Sequence, residues 1–161
     1  MLKAIRTRMQ DDKGFTLIEL MVVVLIIAIL IAIAIPTFLG LRRRAQDRAA
    51  QSNLRNAFTA AKAYYTDCDS YDPVAPCGGV FNAAEGTTIE PSLLWADGNA
   101  VVAGQVNVTG VTPETVLVET LSQSGTSFCI SESVTISTVK GRSTAGATFA
   151  DYNACAAAPD W

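Results

Sequence analysis

A run of apolar residues near the start of the chain constrains its fold more than any other feature. From Phe15 to Ile35 the sequence holds 21 residues, and Glu19 is the one charged residue among them. As an α-helix this segment is about 31 Å long at ~1.5 Å per residue, which matches the ~30 Å hydrocarbon thickness of a bilayer. The sequence therefore predicts a membrane-spanning helix that carries a carboxylate in its first turn and follows a glycine, Gly14.

A short polar segment of mixed charge, Met1–Lys13, precedes the apolar run. Such a segment is typical of a targeting sequence and is not part of the fold. An ordinary secretory signal cleaved after Ala32-Ile33-Ala34 is an alternative interpretation. The apolar run is too long for the usual 7–15-residue core of such a signal, and Glu19 lies inside it. We therefore favour an anchor over a conventional signal peptide.

The residues at the border of these two segments form a specific motif. The stretch Lys13–Leu20, with the sequence KGFTLIEL, and Pro36 further along resemble the start of type IV prepilins. That family includes the pseudopilins of type II secretion. The resemblance implies that a membrane peptidase cuts after Gly14, that the new N-terminal Phe15 is N-methylated, and that Glu19 guides filament assembly.

The resemblance also implies a fold and a division of the chain. We expect an α+β protein in which a long N-terminal helix with a proline kink packs against a small antiparallel sheet, the type IV pilin fold. Residues 1–14 are then a cleaved leader, and residues 15–40 are the transmembrane and assembly half of the helix. Residues 41–161 are the globular pilin domain.

Glu19 admits two interpretations. A bare carboxylate in hydrocarbon costs ~2.5–3.5 kcal/mol or more, so a partner is expected. Cleavage would create an amine on Phe15, and a neighbouring subunit's amine could pair with Glu19 and set the stagger between parallel helices. Alternatively, Thr16-Leu17-Ile18-Glu19 fits a capping box, in which the carboxylate accepts a hydrogen bond from the N-cap backbone. The motif around Glu19 favours assembly.

Two residues predict a break further along the helix. Pro36 lacks an N–H, so the hydrogen bond to the carbonyl of Ala32 cannot form, and Gly40 costs ~1 kcal/mol relative to Ala. We expect a kink or local melting there. An amphipathic helix then resumes over residues 41–66. Its apolar face is predicted to contain Leu41, Ala45, Ala50, Leu54, Phe58, Ala61 and Tyr65.

Four cysteines follow the apolar run, and an even number in an exported domain indicates disulfides formed in an oxidising compartment. Of the three possible pairings we favour Cys68–Cys77 and Cys129–Cys155, each of which closes a local loop. A zinc site built from four thiolates is disfavoured because no CxxC pair occurs. A calcium loop is also disfavoured, because no glutamate completes an EF-hand pattern around Asp67, Asp69 and Asp72.

Turn-forming residues and β-branched residues divide the rest of the chain. Residues 67–99 are predicted to be a loop, and residues 100–161 an antiparallel sheet with a C-terminal disulfide loop. Lys140-Gly141 and Ser143–Gly146 are predicted to be turns or loops. Five runs rich in Val, Thr and Ile are predicted to be strands: Ala100–Val108, Thr115–Leu121, Ser127–Ser131, Val134–Val139 and Thr148–Tyr152.

Composition narrows the function. Removal of the leader leaves eight basic and thirteen acidic side chains, a formal net charge of −5, which disfavours nucleic-acid binding without a local basic patch. The chain has no histidine, no nucleophile elbow and no phosphate-binding glycine motif, so we expect neither an enzyme nor a cofactor or metal site.

The resemblance completes the functional hypothesis. It implies a structural subunit, a precursor in the cytoplasmic membrane that polymerises into a surface pilus for adhesion, motility or DNA uptake. It implies as partners further copies of the chain, prepilin peptidase, an assembly ATPase and a membrane platform protein. A type II secretion pseudopilin, or a membrane-anchored binding protein that does not polymerise, is the alternative.

Overall fold

The computed structural model describes residues 14–72, 77–98, 102–144 and 146–161. The chain divides into two units, with the boundary between Leu41 and Arg42. A long N-terminal helix precedes a mostly antiparallel sheet, which confirms the predicted α+β class. The elements in chain order are α1 (Leu17–Cys68), α2 (Ala83–Ile89), β1 (Leu94–Asp97), β2 (Gln105–Thr112), β3 (Thr115–Leu121), β4 (Ser127–Ser133), β5 (Thr138–Ser143) and α3 (Tyr152–Ala157).

The first unit contains the apolar part of α1. Every large apolar side chain from Phe15 to Leu41 is between 48% and 84% exposed. Among the described residues α1 is the one helix that is long and apolar enough to cross a membrane, with a mean hydropathy of 3.3 in its most apolar window. None of the described residues covers this surface.

The helix continues through both residues that were expected to interrupt it. Pro36 and Gly40 lie inside α1, so the helix does not melt locally there, whereas the kink that was the other expectation stays a prediction. Proline removes one hydrogen bond but its fixed φ suits a helix, and a single glycine costs only ~1 kcal/mol. Beside the proline, the hydroxyl of Thr37 donates a hydrogen bond to the carbonyl of Ile33 over 3.1 Å.

In the second unit one face of α1 forms the core with the sheet. Ala60 is one of the seven buried positions of α1, and the other six follow alternating steps of four and three residues: Ala50, Leu54, Ala57, Ala61, Tyr64 and Cys68. They pack with the sheet residues Val106, Val108, Val116, Val118, Phe128 and Ile130. The alanines leave room for the strands to approach the helix closely.

The predicted apolar face of this helix was partly right. Phe58 and Tyr65 are only partly buried, and Leu41 and Ala45 are exposed. The prediction placed a step of five residues between Ala45 and Ala50. Five residues turn an α-helix by about 140° beyond one full turn, so Ala45 does not lie on the same face as Ala50.

The sheet has five strands in the order β1-β2-β3-β4-β5, so β1 and β5 are its edges. The pairs β2–β3, β3–β4 and β4–β5 are antiparallel, whereas β1 runs parallel to β2. The sheet is therefore not wholly antiparallel as predicted, because turn residues mark where a strand ends but not its direction. On the outer side of β5, the backbone N–H of Arg142 donates to the carbonyl of Pro159 over 2.9 Å.

Both faces of the sheet are covered. Alternation along β3 directs Val116 and Val118 towards α1, and Leu117 and Glu119 to the opposite side. On that side Leu117 forms a second buried cluster with residues of β4, α3 and the segment before α3: Cys129, Phe149 and Cys155. The strand is consequently buried along almost its whole length.

Several boundaries differ from the predictions. The predicted loop 67–99 contains α2 and β1. Asn82 begins α2, since its side chain accepts hydrogen bonds from the N–H groups of Ala84 and Glu85. Residues 148–151 of the predicted strand Thr148–Tyr152 are irregular chain, and Tyr152 begins α3. The strand predicted at Ala100–Val108 overlaps β2 only over residues 105–108, since β2 begins at Gln105 and continues to Thr112. Residues 99–101 lie outside the described residues.

The last strand is displaced along the sequence. Val134 and Ile136, predicted to lie in a strand, belong to the turn between β4 and β5, which is closed by a hydrogen bond from Ser133 N–H to the carbonyl of Ser137. Strand β5 contains the Lys140-Gly141 pair, which was predicted to be a turn. It also contains Ser143, at the start of a predicted loop.

Candidate functional site

The motif at the start of α1 lies in an exposed, non-helical segment. Gly14, Phe15 and Thr16 precede the helix, and the Phe15 side chain is 84% exposed. A methyl group added at Gly14 would meet no atom within 4 Å. Packing against the residues that the structure describes therefore does not account for a glycine at this position.

Glu19 forms the capping box that was the alternative interpretation. Its Oε2 accepts hydrogen bonds from the backbone N–H of Thr16 over 2.9 Å and from the Thr16 hydroxyl over 2.6 Å. The N–H of Glu19 donates back to the Thr16 hydroxyl oxygen over 3.3 Å. Both bonds that the carboxylate accepts use the same oxygen. The capping arrangement therefore leaves Oε1 directed to no partner among the described residues.

The four cysteines form the two favoured pairs. The structure joins Cys68 to Cys77 and Cys129 to Cys155. The first pair closes a loop at the end of α1, and the second ties α3 to β4. Because all four sulfur atoms are in disulfides, a zinc site of four thiolates is excluded.

Close packing surrounds the second disulfide. A Cβ atom at Gly141 would lie 2.5 Å from the carbonyl oxygen of Cys155, 2.7 Å from the Ala158 Cβ and 2.9 Å from Cys129 Sγ. Only a residue without a side chain allows α3 to approach β5 this closely. Gly141 is therefore required by this contact and does not mark a turn, although the sequence predicted one at Lys140-Gly141.

A polar cluster that the sequence did not reveal joins α1 to β4. Lys62 forms an ion pair with Glu132, whose other carboxylate oxygen accepts a hydrogen bond from the buried Tyr71 hydroxyl over 2.6 Å. Burial, followed by this hydrogen bond, raises the pKa of Tyr71. The three residues are 61 and 70 positions apart in sequence, so no local pattern could have identified them. The cluster positions α1 on the sheet.

Glu119 is a second feature that the sequence did not reveal. Its side chain is fully buried, and Oε2 accepts a hydrogen bond from the N–H of Phe149 over 2.9 Å. Oε1 has no hydrogen-bond partner among the described residues. Burial raises the pKa of Glu119 to about 7, although the Phe149 hydrogen bond opposes this rise. Across the sheet it lies beside Asn107 and Cys129, and neither supplies a positive charge.

Metal binding finds no support within the residues that the structure describes. No group of three or more His, Cys, Asp or Glu side chains there is placed to hold an ion. The described residues include the three aspartates of the disfavoured calcium loop, Asp67, Asp69 and Asp72.

The N-terminal motif matches a known protein family. The family model for the prokaryotic N-terminal methylation motif matches residues 9–35. The chain is 34% identical to the fimbrial protein EcpC of Eikenella corrodens over 110 residues, 63% of this chain and 67% of that protein. It is 37% identical to PilA5, a type IV narrow pilus major component of Thermus thermophilus, over 89 residues, 55% of this chain and 73% of the relative.

The chain belongs to the type IV pilin family. A further relative, the type IV major pilin protein PilA of Myxococcus xanthus, is 47% identical over 64 residues. That match covers 40% of this pilin but only 29% of the Myxococcus protein. No solved structure shows a significant match to the chain. The methylation motif and the apolar helix of this pilin fit a membrane-anchored precursor of an extracellular pilus.

Proposed function

We propose that this pilin is a structural subunit that polymerises through its N-terminal helix into a type IV pilus. The exposed apolar surface between Phe15 and Leu41 is the observation that carries the proposal. Surface of this extent is stable only in lipid or against other apolar surfaces, since each Å² left in water costs roughly 25 cal/mol. A membrane covers it before assembly, and copies of the same helix cover it afterwards.

The chain then divides into a leader of residues 1–14, an assembly segment of residues 15–40 and a globular domain of residues 41–161. Prepilin peptidase cleaves after Gly14, and Phe15 is N-methylated. The exposure of this junction supports the proposal, because a protease must reach an extended backbone. The glycine has no packing role among the described residues, so we attribute it to the close approach of the peptidase.

Glu19 has two successive partners in this proposal. In the free subunit the capping box with Thr16 satisfies the carboxylate. In the filament the cleaved amine of a neighbour's Phe15 approaches the second oxygen, Oε1. A cation and a carboxylate attract strongly where water is excluded, and the pair forms at only one stagger of the helices. Capping and pairing are therefore compatible.

Two substitutions separate these roles. Glu19→Gln removes the charge but keeps an oxygen that can accept from Thr16, whereas Thr16→Val removes the capping hydroxyl and keeps the charge. If pairing drives assembly, the Gln variant loses most of the filament yield in sheared surface fractions and the Val variant retains most of it. Equal yields from the wild type and Glu19→Gln would contradict the pairing, and a loss confined to Thr16→Val would assign Glu19 to capping alone.

One measurement tests the function as a whole. Sheared surface fibres are purified, visualised by electron microscopy and analysed by N-terminal mass spectrometry. We expect this chain in the fibres, starting at methylated Phe15. A processed chain that stays in the membrane fraction and is required for protein secretion would indicate a pseudopilin. An anchored monomer would indicate a binding protein that does not polymerise.

The remaining partners follow from family membership and are part of the same proposal. They are prepilin peptidase, an assembly ATPase on the cytoplasmic side and a platform protein in the membrane. We assign the chain no catalytic activity and no cofactor. Retardation of DNA by intact fibres in a gel shift would add nucleic acid to these partners and support a role in DNA uptake.

A further inference from the structure

Three consecutive arginines, Arg42, Arg43 and Arg44, directly follow the apolar segment. All three are exposed, and none is in an ion pair within the described residues, where Lys62–Glu132 is the one such pair. The carboxylate that follows them within one helical turn, Asp47, instead accepts a hydrogen bond from the Ser124 hydroxyl. Three positive charges therefore lack a counter-charge in this part of the chain.

The direction of these side chains limits what can neutralise them. Consecutive residues of an α-helix point about 100° apart, so the three arginines spread over about 200° of the circumference of α1. A single protein surface contacts one side of a helix and cannot reach all three. A layer of negative charge that surrounds the helix can.

The length of the apolar segment brings the three arginines to the level of the lipid headgroups. From Phe15 to Leu41 the segment covers 27 residues, about 40 Å of helix at ~1.5 Å per residue. A bilayer measures about 40–45 Å when its headgroups are included. A helix that enters at the inner surface therefore brings the residue after Leu41 to the outer headgroups. Arginine side chains can also extend along apolar surface while keeping the charge in water.

We propose that Arg42, Arg43 and Arg44 bind the phosphates of anionic phospholipid headgroups in the outer leaflet while the pilin is a membrane-anchored subunit. The contact holds the subunit at a fixed depth, with its globular domain outside, until it is extracted into the filament. This inference rests on the membrane-anchored precursor of the proposed function. It does not depend on whether the subunit later polymerises.

The test uses the full chain reconstituted in phosphatidylcholine vesicles. Electron paramagnetic resonance compares how strongly trace spin-labelled phosphatidylglycerol and spin-labelled phosphatidylcholine associate with the protein. We expect phosphatidylglycerol to be favoured about fivefold, the effect of one arginine near an anionic surface. The preference should weaken in 1 M salt, where the Debye length is about 3 Å.

Two triple variants assign the effect. R42Q/R43Q/R44Q should lose most of the preference, whereas the matched control R55Q/K140Q/R142Q, which removes as many exposed cations from the same unit, should keep it. The four basic residues of the leader are the same in all three proteins. An equal loss in both variants would show general electrostatic attraction and overturn the assignment.

A second result would also overturn it. If R42Q/R43Q/R44Q keeps the lipid preference but loses filament yield, the arginines contact another copy of the chain and not lipid. Because the lipid measurement needs no filament, its outcome is independent of the polymerisation experiment.

Discussion

The buried carboxyl of Glu119 should make the stability of this pilin depend on pH in an unusual direction. Burial raises its pKa from 4.5 to about 7. Between these values the unfolded chain has released the proton while the folded chain still holds it, so the free energy of unfolding falls as the pH rises. At ~1.4 kcal/mol per pH unit the total fall is about 3 kcal/mol, and it is complete above pH 7.

Glu119→Gln tests this reasoning because an amide stays neutral throughout. Its oxygen can still accept the hydrogen bond from Phe149 N–H, so the packing beneath this segment is retained. In the variant, ionisation at this position should no longer lower the free energy of unfolding between pH 4.5 and 7. At pH 8 it should be more stable than the wild type by up to about 3 kcal/mol, or roughly 10 °C in Tm.

The measurement is urea and thermal unfolding of the full chain in detergent at pH 5, 6, 7 and 8. The fluorescence of Trp95 and Trp161 reports the unfolding. Glu114→Gln is the matched control, since Glu114 is exposed in the turn between β2 and β3 and should change neither the slope nor the midpoint appreciably. The reasoning fails if Glu119→Gln retains the pH slope of the wild type. It also fails if the wild type is no less stable at pH 8 than at pH 5.

Other substitutions test separate contacts. Gly14→Leu should fold normally but remain uncleaved, visible by mass spectrometry as a precursor heavier by the leader; normal maturation would contradict the role of the glycine. Gly141→Ala should destabilise the domain by at least about 2 kcal/mol, since its Cβ would collide with α3. Gly40→Ala, which meets no atom within 4 Å, should instead stabilise the helix by up to ~1 kcal/mol in thermal unfolding. Tyr71→Phe should cost about 1–3 kcal/mol in urea unfolding, and an unchanged midpoint would show that its hydrogen bond to Glu132 contributes little.

Local signals were sufficient for some parts of this fold. Strand β3 has the predicted bounds, Thr115–Leu121, because Pro113 stands before it and a turn that includes Gly125 follows it. The disulfide pairs agree with the favoured ones because each closes a local loop. The start of α2 was also detectable, since Asn82 followed by Glu85 is a helix-capping pattern. It was missed because Gly86 and two threonines lower the helix propensity of the segment that follows.

Other features depend on contacts that no window of sequence contains. Gly86 is required because a Cβ there would lie 2.6 Å from the Trp95 ring, and Gly141 is required by α3. Val134 and Ile136 have the alternation of a strand but lie in a turn, since the pairing of β4 with β5 sets the register. At the N-terminus the sequence predicts roles for Gly14, Phe15 and Glu19, and these stay predictions. It also offered the capping box that Glu19 forms with Thr16, but it could not decide between capping and pairing with another subunit.

The edges of the sheet have a consequence for the proposed filament, in which each domain is crowded against copies of itself. Unpaired backbone N–H and C=O groups at an edge strand can form hydrogen bonds with the edge strand of another molecule and produce amyloid-like aggregates. Here β1 is only four residues long, and β5 carries the exposed cations Lys140 and Arg142. The carbonyl of Pro159 already occupies one outward N–H of β5. In the proposed filament, domains held side by side at very high local concentration can thus stay individually folded.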